Sequence, residues 1–342
     1  MFHFCRLLMA DTLSVVFNKG LDLTAVGSII VKTTAFLIII FYTPKNMRHF
    51  ANFILNEMFW NFTGNVLYTV AHPIPMMPDE CFRLDGFISN YFPTEAVGHV
   101  FFSLIVLTVL NCAIGLALTF QFRYMILAFK QKIRNIHPVW GYLYCALVHA
   151  VNSGFYIYYV KQWGVPITKY PELLSTNVTS RLFCYHPTGF PKALALGWIF
   201  VTILVIVILL IIFTFLCFRQ LKINEAYIDM NTLHMQRVLL RNLIILTAVP
   251  VLVGGLPLLI AIFFVYWMKL PCARVICAVC IMVCLNHGTI YGITTLVVFK
   301  AYRNAFLKVL LSVQNKILGL LKSVPKTTYV RTIHVTKSAA VR

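Results

Sequence analysis

For most of its length the chain carries its apolar residues in unbroken runs of about twenty, separated by short polar stretches, rather than alternating or recurring once per helical turn. The runs occupy 21–42, 50–71, 96–122, 138–160, 193–218, 240–267 and 274–299. A helix needs roughly 20 apolar residues to cross a ~30 Å hydrocarbon core. Inside that core each backbone N–H and C=O has to be satisfied within its own segment, which a helix does. The pattern therefore predicts an all-α membrane protein with seven spans and its two termini on opposite sides. The connection after span one is short (Thr43 to His49), the one after span three is moderate (Arg123 to His137), and the one after span five is longer (Arg219 to Arg241). With no internal repeat and no low-complexity linker, the chain reads as a short N-terminus (1–20), one transmembrane domain (21–299) and a tail (300–342). The first twenty residues are too broken by Arg6 and Asp11 for a cleavable signal, so span one is expected to act as the signal anchor.

The pattern changes after span seven. From Asn304 to Leu321 the apolar positions Phe306, Leu310, Val313, Ile317 and Leu321 fall at spacings of four and three, flanked by Lys308, Lys316 and Lys322. This predicts an amphipathic helix lying on an anionic membrane surface.

Composition and charge then decide class and orientation. The chain is 60% hydrophobic and 11% charged, with a mean hydropathy of +0.83, far too apolar for a soluble domain. Its net charge of +19 would suggest nucleic acid in a soluble protein. Here the basic residues are distributed by side: nineteen, from Lys45 to Arg342, against the two acids Glu225 and Asp229 if the tail is cytosolic, and nine against seven on the other side. That is the positive-inside asymmetry, so nucleic acid is no partner and the N-terminus is expected outside the cell. The Asn177-Val178-Thr179 sequon then falls outside, open to glycosylation, whereas Asn61-Phe62-Thr63 falls within a span. Most of the ten cysteines lie in apolar runs, where a thiol behaves as a small hydrophobe. No cofactor and no metal is expected.

Short motifs carry a resemblance. Phe120-Gln121-Phe122-Arg123-Tyr124 closes span three, Thr43-Pro44-Lys45-Asn46-Met47 follows span one, and Leu55-Asn56 to Phe59-Trp60 lies at the start of span two. Met235-Gln236 precedes Pro250 and Pro257 in span six, His287-Gly288 lies in span seven, and Ala301-Tyr302-Arg303 lies just beyond it. In this order and at these depths, from about residue 35 to 310, the chain resembles nematode serpentine chemoreceptors of the Str superfamily, nearest the Srh class with the Sri class as its sibling. The resemblance implies a seven-transmembrane G-protein-coupled receptor with an eighth amphipathic helix. It would sit in the plasma membrane of a sensory cilium, bind a small chemical ligand from outside and activate a heterotrimeric G protein inside. The sequence departs from the family pattern at Gln121, where an acid is usual, at Asn65 for an aspartate, and at Ala301 for a proline. Without a carboxylate at 121, the latch on Arg123 is reduced to a neutral hydrogen bond.

The resemblance implies roles for particular residues. Arg123 and Tyr124 would meet the G protein when span six swings outward, with Lys222, Arg237 and Arg241 lining the same opening; the plain alternative for Arg123 is a positive-inside anchor. Pro250 and Pro257 around Gly254-Gly255 predict a kink in span six, hinged or static. A ligand pocket would draw on Phe102, Asn111, Trp198, Phe264 and His287, of which the aromatics are equally an interfacial belt and His287 and Asn111 equally interhelical hydrogen-bonding groups. Most such receptors carry a disulfide cysteine at the top of span three, where this chain has Gly98. Cys81 is then a displaced partner for Cys184, in competition with Cys272.

Lys32 and Glu57 are charges within spans one and two, ~15 and ~11 Å from the same face at 1.5 Å per residue. Either they pair, or Lys32 snorkels and Glu57 is protonated. Of the competing classes, a transporter or channel would want several intramembrane acids and a repeat. A retinal protein would want a lysine inside span seven, where the nearest is Lys300 at its end. An intramembrane enzyme would want an HExxH, a GxSxG or paired aspartates, none of which the spans carry.

Overall fold

The computed structural model describes residues 2–44, 47–129, 132–133, 135–170, 181–226 and 229–323, with only the backbone for residues 2–11, 13, 49 and 317–323. Seven long helices form a bundle: α1 (Phe2–Tyr42), α2 (Arg48–Ala71), α3 (Glu95–Ala128), α4 (Pro138–Trp163), α5 (Phe190–Asn224), α6 (Met230–Tyr266) and α7 (Ala273–Val298). An eighth, α8 (Lys300–Ser323), follows α7 directly. The helices start and stop where local chemistry directs. Pro138 opens α4 behind His137, and the Asp229 carboxylate accepts the free N–H groups of Asn231 and Thr232 at the start of α6. His72, at φ 44°, ends α2 in a left-handed cap.

Among the described residues, five helices are apolar enough over their length to cross a membrane by composition alone: α1 from Ser14, α3, α5, α6 and α7. The other two carry their polar residues inward. Glu57 and Asn61 of α2 and His149 of α4 are buried, while the apolar Leu143, Leu147 and Phe155 of α4 face out. α1 differs from the apolar run in starting well before residue 21. Ser14 and Asn18 lower the local hydropathy, but both donate to Asp85 Oδ2, at 3.0 and 3.2 Å, and so extend the helix onto the loops at its end of the bundle.

Those loops form a four-stranded antiparallel sheet that covers the N-terminal end of the bundle. Strands β1 (Pro73–Pro75) and β2 (Cys81–Leu84) come from the α2–α3 connection, and β3 (Gly164–Val165) and β4 (Leu182–Tyr185) from the α4–α5 connection; the order is β1-β2-β4-β3. All four residues of β4 are buried, because Phe183 and Tyr185 face the bundle. Phe183 rests on Gly98 at the top of α3, where an added Cβ would lie 2.3 Å from its ring.

α6 is broken in the middle by a π-helical segment, Pro250–Gly255. Pro250 and Pro257 each lack an N–H, and Gly254 and Gly255 leave no side-chain bulk to hold the regular ladder. Hydrogen bonding therefore slips to the wider register, with Leu256 N donating to Val251 O. α8 has a buried root at Tyr302 and Ala305 and an exposed apolar face at Leu310 and Val313. The Tyr302 hydroxyl meets Thr43 Oγ1 at 3.0 Å, so the turn after α1 and the start of α8 are one structural unit.

Candidate functional site

Polar and charged residues concentrate at three levels: the sheet end, the middle of the bundle and the tail end. At the sheet end, Cys81 and Cys184 lie opposite each other in the β2–β4 pairing and are joined by a disulfide; Cys272 is a free, exposed cysteine. Gly98, which takes the place of the usual cysteine, receives the Phe183 ring instead, so β4 is fixed to α3 by packing and to β2 by the covalent bond. Beside it lies a buried ion pair: Lys192 Nζ of α5 donates to Glu80 Oε2 at 2.7 Å and to Pro187 O at 3.1 Å, and sits 5.6 Å from the centre of the Tyr266 ring at the end of α6. Burial pushes the Glu80 carboxyl up to about 8, and Lys192 offsets this only in part. Asp85 shows the opposite balance. Burial raises it, but a fork of two bonds from Arg83 at 2.6 and 2.8 Å, with Ser14 and Asn18, holds it below the usual carboxylate range.

The five residues expected to wall one ligand pocket are spread over separate environments. Phe102 lies under the sheet against Phe82, Phe183 and Tyr185, and Trp198 packs at a tilt against Phe155 and Tyr159 between α4 and α5. Phe264 packs with Ala261, Cys277 and Cys280. Asn111 is tied into a network, its Oδ1 accepting from His149 Nδ1 at 2.7 Å and its Nδ2 donating to Ser153 Oγ at 3.1 Å. His287 is in the centre of the bundle. The sheet's Phe82, Phe183 and Tyr185 fold down onto Phe102 and fill the space beside it, a feature with no trace in the periodicity of the spans. Asn177 lies outside the described residues.

In the middle of the bundle His287 joins three helices. Its Nε2 meets Asn61 Nδ2 at 2.6 Å on α2, its Nδ1 meets Cys284 O, and its ring packs on Gly254 in the π segment of α6. Gly288 lets Asn61 approach so closely that a Cβ there would fall 1.6 Å from Oδ1. Glu57 Oε1 accepts from Cys112 Sγ at 3.4 Å, and the ligand-type atoms of Glu57, Cys112 and His287 lie within 4.8 Å of one another. Carboxylate, thiol and imidazole form a donor set suited to a transition metal, and the Lys32 side chain is buried in the same part of the bundle.

Lys32 and Glu57 are both buried, at 1% and 0% exposure, and share this cluster as charges that influence one another. Of the two readings left open, a hydrogen-bonded pair is not seen: among the described residues Lys32 Nζ and Glu57 Oε2 each lack a hydrogen-bond partner. Their depths along two helices match, but the angle about each helix axis, which decides whether two side chains meet, is not set by depth. Asn65, where the family has an acid, donates to Ser28 Oγ at 2.9 Å and to Leu285 O at 3.0 Å. An ionised carboxylate has no N–H to give Leu285 O and could meet Ser28 only by accepting from its hydroxyl.

At the tail end Arg123 is buried and reaches α6, donating through Nη2 to Gln236 Oε1 and, at 3.2 Å, to Gln236 O. Gln121 faces away, bonded to Tyr144 of α4 at 2.9 Å, so the partner of the arginine is supplied by the neighbouring helix and not by the residue two positions before it. Tyr124 leans on Phe129 and Phe213. Lys222, Arg237 and Arg241 come together on the wall of a cavity of about 590 Å³ between α5 and α6, where Arg237 pairs with Glu225 at 3.0 Å. Gln236, Asn61 and Cys112 were not singled out for these roles in the sequence. A polar Asn within an apolar run marked Asn61, whereas nothing local marks Cys112.

A bundle of seven helices with an amphipathic eighth, an arginine at the tail end of α3 held by α6, and a proline break in α6 define a seven-transmembrane membrane protein of the G-protein-coupled receptor type. The family model described as "Serpentine type 7TM GPCR chemoreceptor Srh" matches residues 14–312, and the chain belongs to that family. No curated protein matches it as a close relative.

Proposed function

We propose that this chain is a chemosensory receptor of the plasma membrane. Its sheet-covered end lies outside the cell and receives a small-molecule ligand; its tail end, with residues 300–342, lies in the cytosol and activates a heterotrimeric G protein. The observation that carries this reading is the placement of two features on one helix: α6 holds Arg123 through Gln236 and, about four turns farther along, breaks into the π segment Pro250–Gly255. A hinge above a latch lets a signal arriving at His287, which packs on Gly254, release Arg123 below. The orientation is supported by the excess of Lys and Arg on the tail side. In this reading Arg123 and Tyr124 contact the G protein once α6 moves away, and Lys222, Arg237 and Arg241 edge the opening.

The test is nucleotide exchange on a co-expressed G protein across a panel of small volatile and water-soluble compounds, with Arg123→Ala as the control. The expected result is exchange that depends on at least one compound in the parent protein and on none in the variant. Uptake of a labelled solute with no exchange would replace the receptor with a transporter.

A further inference from the structure

We propose that the groove between α5 and α6 at the tail end is a binding site for one anionic phospholipid of the surrounding bilayer. Two cavities of about 590 Å³ each lie end to end there and share Phe218 and Ile244. The one nearer the helix ends is rimmed by Lys222, His234, Arg237 and Arg241, and the one deeper in the bundle is walled by Val207, Phe215, Val251 and Leu252. Phe215, Phe218, Ile245 and Leu252 are exposed, so the groove opens sideways, where a membrane protein meets acyl chains. A charged head joined to a continuous apolar slot matches a molecule with a phosphate at one end and a hydrocarbon chain at the other.

Charge sets the sign of the headgroup. Three cations, Lys222, Arg237 and Arg241, face the single carboxylate of Glu225. Glu225 pairs with Arg237 at an exposed position, side chains 48% and 46% accessible, where an ion pair contributes little and exchanges readily for another anion. Among the described residues the side chains of Lys222 and Arg241 have no ion-pair or hydrogen-bond partner. The inference rests on the orientation proposed above in one respect: a cytosolic tail end faces the leaflet that carries anionic lipid. A phospholipid seated here would touch both α5 and α6 and bear on how far α6 can move.

The full chain carrying Phe215→Trp as a reporter is reconstituted in phosphatidylcholine vesicles containing either brominated phosphatidylserine or brominated phosphatidylcholine. The quenching attributable to the reporter is taken by difference from the chain without it. The expected result is stronger quenching by the serine lipid, with a preference that falls roughly fivefold for each of Lys222→Gln and Arg241→Gln, matching about 1 kcal/mol per basic residue at an anionic surface. Lys308→Gln, on α8, is expected to leave the preference intact. Equal quenching by the two lipids, or a preference unchanged in the Lys222→Gln/Arg241→Gln double variant, would overturn the site. Neither G protein nor ligand is present, so the outcome is independent of whether the chain couples.

Discussion

Glu80 and Lys192 show at the scale of single residues how this protein handles charge. Glu80 is almost fully buried, and its carboxyl is harder to ionise in the fold than in the unfolded chain, where 4.5 applies; folded, it titrates near about 8. A raised carboxyl means the folded state binds more protons between those two values, so stability falls as pH climbs from about 4.5 to about 8 and levels off outside that window. Thermal unfolding of the purified protein should therefore show a declining midpoint over that range, and Glu80→Gln should flatten it. The same pair shows what was hidden from the sequence. Glu80 and Lys192 are 112 positions apart and each lies beside a connecting segment that looks solvated in the sequence, so nothing local marks them as partners. Lys32 and Glu57, by contrast, stood out at once because charges inside apolar runs are conspicuous. Their cluster was legible from depth, and their lack of a direct bond was not, because that depends on rotation about two helix axes.

Among the elements, α6 and the sheet divide the work. The break in α6 was readable from Pro250, Gly254, Gly255 and Pro257, since missing donors and missing bulk are properties of the residues themselves. Which neighbour fills the break was not readable: it is His287 of α7, with a Cβ at Gly254 approaching its ring to 3.2 Å, while Cys284 Sγ donates to Gly254 O at 3.1 Å. Gly254→Val should push α6 off α7, with a cost of about 1–3 kcal/mol, seen as a lowered unfolding temperature. The sheet was invisible to hydropathy because its strands have two to four residues and lie in loops, and with it the aromatic filling that separates the expected pocket residues was hidden too. Its disulfide closes a separation of 103 residues, and the entropy model for a loop of that size gives a stabilisation of about 4–5 kcal/mol. Cys81→Ser should accordingly reduce surface expression strongly, while Cys272→Ser, at a free and exposed thiol, should leave it near the parent level.

For the whole molecule, the seven helices and their class were set out by runs of apolar residues and a handful of ordered motifs, and the family match over residues 14–312 agrees with both. What the motifs obscured is how the bundle is latched. Gln121 suggested a weakened restraint on Arg123, whereas the arginine, buried and reaching across to Gln236, is held by a charge-assisted bond between α3 and α6. A hydrogen bond to a charged group contributes about 1.5–3 kcal/mol, and in the proposed receptor that bond would hold the bundle closed until a ligand offsets it. The direct measurement is ligand-free nucleotide exchange on a co-reconstituted heterotrimeric G protein, comparing the parent with Gln236→Ala and Arg123→Ala at matched, correctly folded receptor. A latch between α3 and α6 predicts that Gln236→Ala raises basal exchange on the order of tenfold while Arg123→Ala abolishes it. Basal exchange unchanged by Gln236→Ala, together with full exchange in Arg123→Ala, would contradict it.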